Sequence, residues 1–225
     1  MPRSSRAKLI IMAHPDDPEL ALGGTIAVWS ETDPVYYIII SSGEKGSWDE
    51  KLTPFEVAEK REAEARAAAR FLGVKRVIFL RHPDGEIGSI TTLRLELAGL
   101  IRKLKPFTVV THDPWYRTFH PDHRATGWAV IEAVMIARDH HFYPSLLELG
   151  LKPHRVEELL LTPTDEPTFV VDITRTFKKK IAAIRLHKSQ LKQLPDWERR
   201  ITRRAKVMGE IGGYEYGEGF NQLFI

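Results

Sequence analysis

Short runs of apolar residues alternate with longer stretches of helical periodicity along the first half of the chain. Each run has the length of a buried strand and is rich in β-branched or aromatic residues. The predicted strands lie at residues 8–13, 34–40, 76–80 and 107–111, and the predicted helices at about 20–31, 54–72, 91–104 and 122–138. Continuous apolar strands separated by helices are typical of a parallel sheet that is buried on both faces.

The second half of the chain continues this pattern less regularly. Residues 156–162 and 168–173 predict two edge strands, and the basic stretches at about 174–192 and 195–209 predict helices. No repeat, low-complexity tract or linker divides the 225 residues. We therefore predict a single α/β domain over residues 1–225, with a Rossmann-like doubly wound, mostly parallel sheet and helices on both faces.

Polar side chains follow the predicted strands at the edge where such sheets bind ligands. Acidic residues follow all four strands of the first half, and histidines follow three of them. These segments are 14–19, 41–46, 82–85 and 112–123. Because the carboxyl ends of parallel strands share one edge, we expect these segments to form one site.

The first of these segments carries an imidazole and two adjacent carboxylates, on His14, Asp16 and Asp17. Adjacent carboxylates repel each other, so we expect a cation near them, and a divalent metal is the simplest one. One Asp can bind the metal while the other faces the substrate as a base. An N-cap for the following helix is the structural alternative, and it accounts for one Asp but not for all three residues.

A second group of this kind consists of His120, Asp122 and His123. A His–Asp pair beside a metal ligand orients imidazoles and tunes their basicity. Two His and one carboxylate leave an open position on zinc, as catalytic sites require, and His14, Asp17 and His123 can supply that set. The same set also suits Fe²⁺. A capping Asp122 with incidental histidines is the structural alternative.

Composition leaves imidazole and carboxylate as the strong metal ligands of this chain. The chain has no Cys and nine His, which excludes disulfide scaffolds, thiolate metal sites and cysteine nucleophiles. The motifs of dinucleotide binding, of P-loops and of serine hydrolases are absent. The N-terminus has five apolar residues before His14, and no apolar run approaches the roughly 18 residues of a membrane helix. We expect a cytoplasmic protein without membrane contact.

Arg61 lies on the apolar stripe of the predicted helix 54–72, in line with Ala65. A charged residue on a buried face needs a partner. That partner is a substrate or an active-site carboxylate; alternatively, the side chain extends its charged end to solvent.

Positive charge is concentrated near the C-terminus. Residues 175–206 contain twelve Lys and Arg against two Asp and Glu, whereas the whole chain has a net charge of +3. Such a segment can bind nucleic acid or an acidic protein face. Two amphipathic helices with basic outer faces are the simpler interpretation, because few aromatic residues interleave the charges as a base-stacking site requires.

In order and spacing, the motifs resemble the PIG-L/LmbE-like zinc-dependent N-acetylglucosaminyl deacetylases. The marks are Ala13-His-Pro-Asp-Asp-Pro-Glu19, Gly23-Gly-Thr25, Gly43-Glu-Lys-Gly46, Arg61 and His120-Pro-Asp-His123, with weaker marks at 171–174, 180–190 and 217–220. Together they cover nearly the whole chain.

The resemblance implies a zinc-dependent amidohydrolase that removes acetyl from an N-acetylglucosamine-containing sugar or glycoconjugate. It implies one Zn²⁺ per chain, held by His14, Asp17 and His123. It also implies that Asp16 is the general base on the metal-bound water. His120, steadied by Asp122, would stabilise the oxyanion or protonate the leaving amine.

The resemblance further implies that Arg61 contacts the sugar, that Asp84 lines the same pocket, and that the chain forms trimers or hexamers. Some relatives carry a Tyr where this chain has Thr118, with Tyr116 and Phe119 nearby. A metal-dependent phosphoesterase, or a nucleic-acid- or partner-binding protein with a structural metal site, remains an alternative. The other histidines receive no firm role: His82, His112 and His187 are expected near the cleft, and His140, His141 and His154 in solvent.

Overall fold

Seven strands form one sheet in the computed structural model, which describes residues 6–87, 90–115 and 120–225. The strands are β1 (Lys8–Met12), β2 (Val35–Ser41), β3 (Arg76–His82), β4 (Thr108–Thr111), β5 (Glu158–Leu161), β6 (Phe169–Asp172) and β7 (Gly217–Phe224). Their order is β3-β2-β1-β4-β5-β7-β6. The first five strands pair in parallel, and β7 runs antiparallel to both of its neighbours. The predicted fold class is confirmed.

Helices cover both faces of this sheet. They are α1 (Asp17–Trp29), α2 (Pro54–Leu72), α3 (Ile90–Leu104), α4 (Pro121–Ala137), α5 (Ser145–Glu148), α6 (Phe177–Ile184), α7 (Lys188–Leu191) and α8 (Trp197–Gly212). The apolar residues of α3 and α4 form one core with the sheet, and those of α1 and α2 form a second core on the opposite face. None of the helices in the described ranges has the length and apolar character needed to cross a membrane.

Strand β1 shows why the central strands read as continuous apolar runs. Leu9 and Ile11 belong to the core under α3 and α4, whereas Ile10 and Met12 belong to the core under α1 and α2. Since both faces of the strand are covered, every position favours an apolar side chain.

The predicted edge position of 156–162 is wrong. Strand β5 lies inside the sheet because β7, which the sequence pattern did not predict, pairs between β5 and β6. Gly217 and Gly219 obscure the strand pattern, since glycine is weakly favoured in strands. A Cβ at Gly217 would lie 2.7 Å from Val170, so the close packing around β7 requires glycine there.

The predicted helix 174–192 is interrupted. Helix α6 ends at Ile184 and α7 begins at Lys188, with His187 between them. The ring of His187 is buried and its Nε2 lies 2.9 Å from Glu19 Oε2 on α1. This contact requires the chain to turn inward where periodicity alone predicts a continuous helix.

Candidate metal centre

The sheet topology brings the predicted segments to one place. β1 and β4 are neighbours at the point where the strand order reverses, which is where open α/β sheets bind ligands. His14 follows β1 and His112 follows β4, while Asp17 begins α1 and His123 lies in the first turn of α4. Four polar side chains therefore converge at the carboxyl edge of two adjacent strands.

Helix α4 comes unusually close to the end of β4. A Cβ at Gly127 would lie 2.6 Å from the carbonyl oxygen of His112, so only glycine permits this approach. The approach stacks the rings of His123 and His112, with centroids 4.1 Å apart and planes 8° from parallel. Glycine in α4 thus helps to bring His123 to the cluster.

The three residues predicted to bind metal lie together. His14 Nδ1 is 3.2 Å from His123 Nε2 and 3.4 Å from Asp17 Oδ2, and His123 Nε2 is 3.3 Å from Asp17 Oδ1. Ligands of a tetrahedral zinc ion with bonds of about 2.0–2.1 Å are separated by about 3.3 Å. The donor types and their spacing therefore fit a metal ion of this size.

Neighbouring residues offer overlapping ligand sets. Among the described residues there are three such sets: His14 with His120 and His123, Asp17 with His112 and His123, and His14 with Asp84 and Asp122. The backbone N–H of Ala13 donates to His112 Nε2 over 3.1 Å, and burial lowers the pKa of His112 to about 4. His112 Nε2 also lies 3.2 Å from Asp17 Oδ2, so His112 adjoins the proposed ligands.

The second nitrogen of His14 faces two carboxylates. His14 Nε2 lies 3.1 Å from Asp84 Oδ1 and 3.3 Å from Asp122 Oδ2. Burial opposes protonation of His14, but the hydrogen bonds to Asp122, Asp17 and Asp84 raise its pKa to about 12. Three carboxylates therefore surround His14 and concentrate negative charge at this position.

Backbone amides hold both of these carboxylates in place. Asp122 accepts from the N–H groups of Gly85 and Ile87, at 2.7 and 3.4 Å, and Asp84 accepts from that of Lys45 at 3.0 Å. The resemblance implies that Asp122 steadies His120 and that Asp84 lines the substrate pocket. In the structure, both carboxylates also lie against the ring of His14.

His120 lies at the open side of the cluster as the N-cap of α4. Its Nδ1 accepts from the backbone N–H of Asp122 at 3.3 Å, and its ring centroid lies 4.6 Å from that of His14. Burial and the neighbouring charge of His14 lower the pKa of His120. Thr118, Tyr116 and Phe119 lie outside the described residues.

Arg61 contacts the carboxylate of Asp16, and a carboxylate of the candidate site was one of the two partners that its sequence position suggested. Its NH2 donates to Asp16 Oδ1 at 2.8 Å and its NH1 to the carbonyl of Gly43 at 2.7 Å. A Cβ at Gly43 or Gly46 would overlap the guanidinium. The predicted Gly43–Gly46 motif therefore makes room for the side chain that holds Asp16.

Sequence reasoning gave no role to a buried ion pair behind the site. Lys180 Nζ lies 2.6 Å from Glu218 Oε1, and both side chains are buried. Glu218 also accepts from the backbone N–H groups of Gly24 and Thr25 in α1, at 3.0 and 2.6 Å. Both residues fall in the weaker family marks, and that position was the available signal.

Three further histidines make their contacts away from the candidate metal centre. His82 Nε2 lies 2.8 Å from Glu96 of α3, and His154 Nε2 lies 2.7 Å from the carbonyl of Pro106. His187, described above, faces Glu19, and this carboxylate raises the pKa of His187 against the opposing effect of burial. His82 and His187 thus have partners other than the cluster.

The chain matches known proteins in sequence over most of its length. Residues 9–134 match the model of the PIG-L family, described as GlcNAc-PI de-N-acetylase. Diacetylchitobiose deacetylase of Thermococcus kodakarensis is 35% identical over 215 residues, which cover 94% of this chain and 80% of the relative. A protein of Bacillus anthracis named as a probable N-acetyl-α-D-glucosaminyl L-malate deacetylase is 28% identical over 195 residues, which cover 84% and 83%.

A solved structure extends the likeness to the whole fold. N,N′-diacetylchitobiose deacetylase from Pyrococcus horikoshii, in complex with its inhibitor, superposes with a TM-score of 0.92 and 36% identity, over 98% of this chain and 85% of the other. Because the family match covers more than half of the chain, and a relative above 30% identity covers nearly all of it, this chain belongs to the PIG-L family of de-N-acetylases.

Proposed function

We propose that this amide-hydrolysing enzyme removes the N-acetyl group from an N-acetylglucosamine-containing sugar or glycoconjugate, releasing acetate and a free amine. Family membership and relatives named as deacetylases of such sugars support this substrate class. The observation that carries the proposal is the ligand-like spacing of His14, Asp17 and His123, beside a second carboxylate on Asp16.

His14, Asp17 and His123 would hold one Zn²⁺ per chain. Their spacing fits zinc, and the same two imidazoles and carboxylate would also accept Fe²⁺. When bound, the metal would act as a Lewis acid on the amide carbonyl and lower the pKa of the attacking water.

Asp16 would accept the proton that the attacking water loses. Its Oδ1 is held by Arg61, and its Oδ2 has no hydrogen-bond partner within the described ranges. A base with one fixed oxygen and one open oxygen is held in a single orientation toward its substrate. In this arrangement Arg61 positions the base, and the sugar contact that the resemblance implies for Arg61 stays a prediction.

His120 would act on the other side of the scissile amide. Attack forms a bond from the water oxygen to the carbonyl carbon, and the negative charge that develops on the carbonyl oxygen needs a donor. When the C–N bond breaks, the leaving nitrogen takes up a proton and departs as the amine. Because His120 lies at the open side of the cluster, it is suited to donate a hydrogen bond in the first step or a proton in the second.

Substitution of Asp16 separates the roles of base and ligand. Asp16→Ala and the matched Asp16→Asn should lose at least about a hundredfold in kcat, the usual size of a general-base contribution. Bound zinc should stay near one per chain, because Asp16 is not among the proposed ligands. Amine release from N-acetylated sugars and elemental analysis give the two readouts. A variant that keeps near-native turnover would rule out the assigned base.

A screen of substrates tests the reaction class. The purified protein with zinc is incubated with N-acetylated sugars and, separately, with phosphate monoesters, and release of amine or phosphate is followed. Amine release is the expected result. Release of phosphate without any amine would favour the phosphoesterase alternative.

A further inference from the structure

Helix α7 and the residues beside it form a short stretch that the proposed function does not use. We call this stretch, residues 187–193, the α7 segment. Its first four residues belong to the weaker family marks. The segment makes hydrogen bonds to three separate parts of the fold, which are α1, α2 and the loop after β2. Because hydrogen bonds are directional, these contacts restrict how the three parts lie relative to one another.

Two of the contacts reach helices α1 and α2. His187 Nε2 lies 2.9 Å from Glu19 Oε2 of α1, and both side chains are buried. Ser189 donates to both carboxylate oxygens of Glu64 in α2, from its backbone N–H at 2.9 Å and from its hydroxyl at 2.6 Å. A carboxylate that accepts two hydrogen bonds from one residue is fixed in orientation as well as in position.

The third contact reaches the loop after β2. The side-chain amides of Gln190 and Gln193 both donate to the carbonyl oxygen of Gly46, at 3.0 and 3.2 Å. The backbone N–H of Gly46 donates in turn to the carbonyl of Gly43 at 3.0 Å. The same Gly43 carbonyl accepts from Arg61 at 2.7 Å. A continuous series of hydrogen bonds therefore joins the α7 segment to the guanidinium that holds the proposed base.

The three contact points lie around Asp16. Glu19 lies three residues after Asp16, at the start of α1, and Glu64 lies three residues after Arg61 in α2. Residues three apart are neighbours on a helix surface. Gly46 lies against the Arg61 guanidinium, which a Cβ at this position would overlap. The α7 segment thus contacts α1, α2 and the loop next to the base and its arginine.

We propose that the α7 segment is a positioning element for the general base. It holds α1, α2 and the loop after β2 together, so that Arg61 keeps Asp16 in one orientation toward the substrate. Gln190 and Gln193 act through the loop and are positioning residues. This inference rests on the proposed function, because it takes Asp16 as the base of the reaction.

The first test measures the loop directly. The double variant Gln190→Met, Gln193→Met keeps the approximate length of both side chains and removes both amide donors. We expect backbone hydrogen exchange in peptides covering residues 43–47, followed by mass spectrometry, to become about tenfold faster. Gln222→Met is the matched control, since it removes a side-chain amide that donates to Glu158 at 2.6 Å between β7 and β5. Unchanged exchange in the double variant would overturn the proposal, whatever the enzyme acts on.

The second test measures catalysis by the zinc-loaded protein, with N-acetylglucosamine and its oligosaccharides as substrates. The double variant should lose about tenfold in kcat with KM nearly unchanged, because a misplaced base slows the chemical step without weakening substrate binding. Zinc content should stay near one per chain, and Gln222→Met should keep the wild-type kcat. A higher KM at unchanged kcat would overturn the proposed role.

A third measurement separates positioning of the base from general damage to the fold. In a protein that already carries Asp16→Ala, the same two substitutions should cause no further loss of kcat, because no base is left to position. A further tenfold loss there would mean that the α7 segment acts independently of Asp16, and would overturn the proposal. If the wild type releases amine from none of the sugars, the proposed function itself is wrong. Hydrogen exchange of residues 43–47 would still decide whether the segment holds the loop.

Discussion

His14 connects the two sides of the metal centre through its two ring nitrogens. Nδ1 faces Asp17 and His123, and Nε2 faces Asp84 and Asp122. A metal-binding imidazole that donates its other N–H to a carboxylate is fixed in tautomer and orientation. If the metal binds at Nδ1, as we propose, Asp84 and Asp122 would act on it through the ring of His14.

Removal of one of these charges should weaken metal binding. Asp84→Asn keeps an oxygen near His14 Nε2 but loses the negative charge, and we expect a 10–100-fold loss in zinc affinity, typical of this kind of supporting contact. Competition with a chromophoric chelator measures the affinity, with the exposed Asp49→Asn as a control. An unchanged affinity would mean that Asp122 alone fixes the ring.

Substitution of Gly46 should impair catalysis although Gly46 takes no part in the chemistry. Gly46→Ala would drive a Cβ into the Arg61 guanidinium and release Asp16 from its partner. We expect kcat to fall at least about tenfold, because a misplaced base transfers protons poorly. Zinc content should not change. Gly99→Ala in α3 is the control, since its Cβ would meet only ordinary contacts at 3.5 Å or more.

For single residues, the sequence predicted which side chains lie close together but not which contacts each of them makes. His14, Asp17 and His123 could be chosen because they follow strands that share one edge. The partners of Arg61 and Asp122 depend on side-chain directions across separate elements, and a linear pattern carries no information about those directions.

Helix α1 joins the metal centre to the C-terminal part of the fold. The helix begins at Asp17 and bends at Leu22, whose backbone is non-helical. The amides freed by the bend donate to Glu218 of β7, and the freed carbonyls of Leu20 and Ala21 accept from Lys180 of α6, at 3.0 and 3.3 Å. One buried ion pair thus satisfies both sides of the bend.

Breaking this pair should destabilise the protein strongly. Lys180→Met leaves Glu218 buried without its countercharge, and we expect a loss of about 3–5 kcal/mol in the free energy of unfolding. Arg175→Ala removes the exposed ion pair with Glu31 and should cost at most about 1 kcal/mol. Urea denaturation compares the two variants. Similar losses in both would contradict a special role for the buried pair.

The elements that the sequence predicted well are those with the simplest surroundings. Strands β1 to β4 are short apolar runs next to helices of clear periodicity. Strand β7 was not predicted because its glycines, which are needed for packing against α8, hide the strand pattern. The helix break at His187 was not predicted because its partner, Glu19, lies 168 positions away in the chain.

Across the whole molecule, ion pairs neutralise part of the positive charge of residues 175–206. Lys180 is buried in an ion pair, and Arg185 pairs with Glu198 on the surface. What remains on α8 is a mixed surface, since Val207 and Ile211 are exposed beside arginines. Exposed apolar residues with a polar rim are typical of protein–protein contacts.

We therefore expect the homo-oligomer that the resemblance implies, a trimer or hexamer, to use this surface. Light scattering should give a mass of three or six chains, and Ile211→Glu should reduce it, whereas Lys51→Glu in the exposed β2–α2 loop should not. A monomer at micromolar concentration would contradict this prediction. Salt-dependent binding of RNA or DNA to the same stretch would favour the nucleic-acid alternative.

The position of β7 between β5 and β6 has a consequence for biosynthesis. A ribosome releases the chain from the N-terminus onward, so the segments carrying His14, Asp17 and His123 emerge long before residue 217. Until Glu218 arrives, the bend in α1 has unsatisfied amides, and β5 and β6 have open edges that can pair with other chains. The nascent protein thus has all its proposed metal ligands while its sheet is incomplete, and early metal capture would stabilise it during that interval.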